Sequence, residues 1–101
     1  MGMFDIVKCE MPLPGKNPCP RVDKFQTRDF KEVPCGNRYL ILPDGTLLCE
    51  GKYKNFSGEV TFYDADWNAP NHRCSAWWEY EATFVNGKCV KLTCIGDGVV
   101  D

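Results

Sequence analysis

His72 and Cys74 are the two neighbours in this sequence best suited to chemistry, since an imidazole beside a thiol can hold a metal or make a nucleophile. Zinc takes four nitrogen or sulfur ligands in a tetrahedron, and His72 and Cys74 with two of Cys9, Cys19, Cys35, Cys49, Cys89 and Cys94 would complete one if the fold gathered them. The spacing does not favour it: no C-x-x-C pair occurs, and the nearest thiols are Cys89 and Cys94. An imidazole that deprotonates a cysteine would make a reactive thiolate, yet no nucleophile turn or oxyanion segment adjoins the pair. Seven cysteines are an odd number, so one must stay unpaired in a monomer. Free, buried thiols that behave as modest hydrophobes are the preferred reading. No catalytic residue, metal ligand or cofactor is assigned. A zinc-stabilised structural module is the alternative, and a cysteine-dependent enzyme ranks after it.

Carboxylates and aromatic rings form the other two groups. Asp64, Asp66, Glu79 and Glu81 form an acidic group, and Glu79 and Glu81 are two residues apart, on one face if that segment is a strand. Such a pair can share a cation or do acid–base work, but a charged solvent face is the commoner reason for it. Tyr53, Phe56, Tyr63, Trp67, Trp77 and Trp78 crowd the second half of the chain. If Trp77 points outward beside Tyr63, large amphipathic rings stand next to acids, a composition suited to gripping a protein. If the loop from Asp66 to Ser75 folds over it, Trp77 is core; both readings stay open. The expected partner-binding residues are Tyr63, Trp67, Trp77, Glu79 and Glu81.

The elements that must carry these residues read as strands. Met3 to Glu10 is apolar and β-branched, and Pro12, Pro14, Gly15, Pro18 and Pro20 then make a proline-rich loop. Lys24 to Phe30 predicts a short edge strand. Arg38 to Leu42 and Thr46 to Gly51 flank Pro43-Asp44-Gly45 as a hairpin, and Glu59 to Asp64 is a further strand. Ser75 to Val85 and Lys88 to Ile95 are joined by Asn86-Gly87, the strongest hairpin signal present. Alternation places Trp78, Tyr80, Ala82 and Phe84 inward, with Val60, Phe62, Val90, Leu92 and Cys94, against Trp77, Glu79, Glu81 and Thr83 outward. One covered and one wet face mark an antiparallel sheet rather than a parallel one. No helical period stands out. The expectation is a single domain over residues 1–101, all-β or β-rich α+β, with hairpins closing into a small sandwich or a partly open barrel.

Composition narrows the partners. A net charge of -2 from 14 acidic and 12 basic residues, the latter scattered, gives no field for nucleic acid. Sheet-based RNA binding would want Lys and Arg where this face has Glu79 and Glu81. No apolar run approaches the ~20 residues that cross a bilayer, and the first residues lack a secretory leader, so neither membrane nor export is expected. An exposed edge strand offers a route to a homodimer.

Met1-Gly2-Met3-Phe4-Asp5, Cys9-Glu10-Met11-Pro12-Leu13-Pro14, Phe25-Gln26-Thr27-Arg28-Asp29-Phe30, Asp44-Gly45 and Trp78-Glu79-Tyr80 resemble a group of small uncharacterised bacteriophage and prophage proteins. The likeness spans most of the chain through short motifs. It implies provenance, the cytoplasm of a bacterial host, and no site residue. By analogy with phage accessory proteins of this size, it also implies a non-catalytic module that binds a host or phage protein, such as a host enzyme or a defence component.

Overall fold

A computed structural model describes residues 5–15, 18–19, 22–27, 29–30, 36–68 and 73–98, and of residues 66–68, 73–76 and 97 the backbone alone. The described residues form eight strands: β1 (Asp5–Cys9), β2 (Phe25–Thr27), β3 (Arg38–Ile41), β4 (Leu47–Cys49), β5 (Lys52–Tyr53), β6 (Gly58–Asn68), β7 (Arg73–Val85) and β8 (Lys88–Asp97). They form one sheet in the order β5-β4-β3-β1-β2-β6-β7-β8. Among the described residues there is no helix, so the chain is all-β.

Period-2 alternation explains the core. Val7 and Cys9, Phe25, Tyr39 and Ile41, Val60 and Phe62, and Trp78, Tyr80, Ala82 and Phe84 all turn to one side of their strands and are buried. Phe25, Phe62 and Tyr80 meet edge to face or tilted at centroid distances of 4.9 to 5.8 Å, and Phe30 stacks on Tyr39 at 3.7 Å. The edge-to-face and tilted contacts are those that the ring quadrupole favours, whereas Phe30 and Tyr39 lie nearly face to face.

Three features depart from the sequence reading. β2 is an interior strand between β1 and β6, not an edge, because Phe25 and Phe30 both enter the core. β1 and β3 pair in parallel: β2 returns antiparallel on one side of β1, and β3 returns again on the other. Asp5, 3% exposed, holds that crossover, its Oδ1 accepting the Gly36 and Asn37 N–H groups at 3.0 and 2.9 Å. Finally, a bulge where Phe84 pairs with Cys89 and Thr83 with Lys91 makes Val90 the extra residue. Cys89 therefore turns inward at 6% exposure and Val90 outward at 61%, the reverse of simple alternation. A second bulge between Glu79 and Tyr80 likewise leaves Ile95 54% exposed.

Both expected hairpins form, and a third was missed. Asn86 and Gly87 take φ of 51° and 77°, as a two-residue turn demands. Glu50 and Gly51, at 51° and 82°, make the same kind of turn between β4 and β5, without the Asn or Asp that would announce it. Gly45 and Gly87 also bring the ends of the sheet together. Leu47 N–H donates to Gly87 O and Cys89 N–H to Gly45 O, each at 2.8 Å, beside a lone bridge between Thr46 and Lys88. A Cβ on Gly45 would stand 2.8 Å from Cys89 O, and one on Gly87 would strike Lys54 O. The sheet thus curls toward a partly open barrel and touches itself without closing.

Candidate protein-docking face

Tyr63 and Trp77 come together on the outer face of β6 and β7. Tyr63 pairs with Glu79 and Ala65 with Trp77, so the two rings are diagonal neighbours, a relation within aromatic reach. They stack at a centroid distance of 5.0 Å and an interplanar angle of 16°. Trp77 Nε1–H donates to Glu79 Oε1 at 3.1 Å, which fixes the indole along its own strand. Gly96 on β8 makes room, since a Cβ there would lie 3.2 Å from Trp77 Cδ1. Trp77 is half-buried, beside a ring on the outer face, and is not core.

Asp29, two residues beyond the end of β2, joins these residues. That strand shares one register pair with β6, Gln26 with Tyr63, and side chains extend the pairing beyond it. The buried Thr27 Oγ1 donates to Thr61 O at 2.7 Å, and Thr61 N–H donates to Asp29 Oδ2 at 2.7 Å. Asp29, Thr61, Tyr63, Trp77 and Glu79 then line a shallow open depression of about 380 Å³. Nothing in the local pattern of the sequence singles out Asp29, because its place depends on which strand lies beside β2.

The other expected residues divide. Glu81 faces outward between Thr61 and Thr93 on the same face. The backbone of Trp67 lies in β6 at a register shift opposite Cys74, and its side chain lies outside the described residues. Asp64 pairs with the buried Trp78 and so belongs to the opposite side of β6 from Tyr63; its Oδ2 stands 3.8 Å from the Cys19 thiol. The acidic group read from sequence is therefore split between two faces. Asp66 carries no side-chain description.

Among the described cysteines, Cys9, Cys19 and Cys89 are buried and Cys49 and Cys94 are half-buried. Burial pushes the Cys9 thiol up to about 11 and raises that of Cys89 as well, which disfavours the thiolate that attacks electrophiles. Among the described residues no group of three or more His, Cys, Asp or Glu side chains could hold a metal ion. His72 and Cys35 lie outside the described residues, as does the side chain of Cys74.

A larger groove of about 810 Å³ crosses the outer side of β2, β1 and β3, with Ile6 and Leu40 among Lys8, Lys24, Arg38 and Glu50. The sequence reading missed it, since it is made by the parallel placement of β1 beside β3. Its lining carries both signs of charge and so selects no class of ligand. Among the described residues no helix is long and apolar enough to cross a membrane. No protein-family model, no curated protein and no solved structure matches this chain.

Proposed function

We propose that this chain is a non-catalytic protein-binding module, a phage- or prophage-type accessory protein that docks on a host or phage protein and inhibits a host enzyme or defence component. The docking surface is the outer face of β6 and β7 with Tyr63, Trp77, Glu79 and Glu81, extended toward Trp67. One observation carries the reading: two large rings, Tyr63 and Trp77, are stacked and anchored on the solvent side of the sheet while the core is filled from its other side. Rigid aromatic anchors with few rotamers to freeze are what tight protein interfaces concentrate. Burial of Cys9 and Cys89 makes these two thiols poor nucleophiles, which supports a binding role over a reaction at either of them.

The test is capture from bacterial and phage-infected lysates on the tagged chain. A partner retained by the unaltered protein should be lost with Trp77→Ala and with Tyr63→Ala, both folded by circular dichroism, at a cost of at least about 2 kcal/mol in affinity for an anchor residue. Equal retention by all three proteins would remove the face from consideration.

A second copy of the chain is a further proposed partner. β8 ends the strand order, and apart from the Thr46–Lys88 bridge no described strand pairs along its outer side, where Val90 and Ile95 stand exposed. Beyond Lys88 and Cys89, which bond to the Gly45–Thr46 turn, the rest of this ten-residue edge is a template for another strand. Sedimentation should show a dimer at micromolar concentration that Val90→Lys with Ile95→Lys returns to monomer. A monomer at all concentrations removes this partner.

A further inference from the structure

We infer that the depression beside Tyr63 and Trp77 receives a cationic, donor-rich side chain of the docked protein, an arginine guanidinium. This rests on the docking reading above and adds the chemistry of the residue that enters.

Hydrogen-bond accounting carries the argument. Of the groups lining the depression, the Thr61 N–H is taken by Asp29 Oδ2 and the Trp77 indole N–H by Glu79 Oε1. Both N–H donors are thereby taken by carboxylates. Each carboxylate has a second oxygen, Asp29 Oδ1 and Glu79 Oε2, with no hydrogen bond or ion pair to a described residue. A carboxylate has about four acceptor sites, so most of the capacity of these two is unspent on described residues. The site thus presents acceptors and negative charge. No described basic side chain lines it.

The rings point the same way. Aromatic faces carry a negative quadrupole that attracts cations, and a planar guanidinium can lie against a ring while donating in the plane to carboxylates. Anions would meet repulsion from the two carboxylates, with only the Tyr63 and Thr61 hydroxyls among the described lining groups left to donate. An ammonium would satisfy the charge, but it is more strongly hydrated and cannot stack.

The probe is Nα-acetyl-arginine methylamide, titrated into the full chain with the Trp77 indole N–H and the Thr61 amide followed by NMR. Both resonances should move saturably, and the isosteric citrulline compound should bind about tenfold more weakly, which corresponds to about 1.4 kcal/mol. Glu79→Gln and, separately, Asp29→Asn should each weaken arginine binding several-fold while the remaining spectrum stays folded. No saturable shift, or equal response to arginine and citrulline, overturns the inference; the citrulline comparison uses the unaltered protein and is independent of any folding defect. If partner capture depends on Trp77 while the arginine compound fails to bind, the cationic assignment alone falls. If the arginine compound binds while capture ignores Trp77 and Tyr63, the docking reading falls and the cation site stands.

Discussion

Replacing Tyr80 with alanine is expected to lower the unfolding free energy by about 3–5 kcal/mol, the range for deleting a fully buried ring. Tyr80 is 0% exposed and packs against Phe25 and Phe62 at 5.7 and 5.8 Å, so its removal leaves a cavity between β2, β6 and β7. Small domains are stable by only about 5–15 kcal/mol, so this change brings the chain close to unfolding at ambient temperature. Chemical denaturation should show a much lower midpoint with an unchanged slope. Tyr80→Phe separates ring from hydroxyl. The phenol oxygen accepts the Cys19 N–H at 3.0 Å, tying the proline-rich segment to the core, and its loss is expected to cost about 1–3 kcal/mol. A change smaller than about 0.5 kcal/mol on Tyr80→Phe would show that this tether contributes little, as a surface substitution does.

Stability is expected to fall steeply above pH 9. A thiol is charged when deprotonated, and burial raises that of Cys9 from its ordinary 9.0 to about 11. Between those values the unfolded chain has released the proton and the folded chain still holds it. The unfolded state then binds fewer protons, so rising pH favours unfolding. The contribution of Cys9 is fully present below pH 9 and is lost progressively toward pH 11, on the order of 2–3 kcal/mol in all. Cys89 and Tyr80 are also raised by burial and act in the same direction. Denaturation midpoints should be level from pH 7 to 9 and decline beyond it. Cys9→Ala, although less stable at neutral pH, should show a shallower decline. Parallel declines in the two proteins would place the alkaline sensitivity elsewhere.

How much of this was legible beforehand follows from the range over which each determinant acts. Alternation along β7 assigned Trp78, Tyr80, Ala82 and Phe84 to the core, because successive side chains of a strand point to opposite sides whatever lies next to it. Asn86-Gly87 placed a turn for an equally local reason, the positive φ that these residues tolerate. Tyr63, Trp77, Glu79 and Glu81 could therefore be grouped on one face from spacing alone.

Whether Trp77 was surface or core could not be read in this way. Its position depends on Tyr63 as a diagonal neighbour and on Gly96 leaving room across β8, two residues joined to it only by strand pairing. Asp29 entered the site for the same reason: its carboxylate reaches Thr61 only because β2 lies inside the sheet next to β6. Val90 and Cys89 exchanged sides because a bulge shifts the register, and no property of either residue requires a bulge there.

Local pattern was enough for a β-rich class, two of the hairpins and the inward faces of β6 and β7, since these depend on residues within a few positions of one another. The strand order, the parallel pairing of β1 with β3, the meeting of the Gly45 and Gly87 turns and the grouping of Asp29 with Tyr63 and Trp77 needed the tertiary structure. Those are set by which distant segments bury their apolar sides together, a cooperative choice made by the whole core.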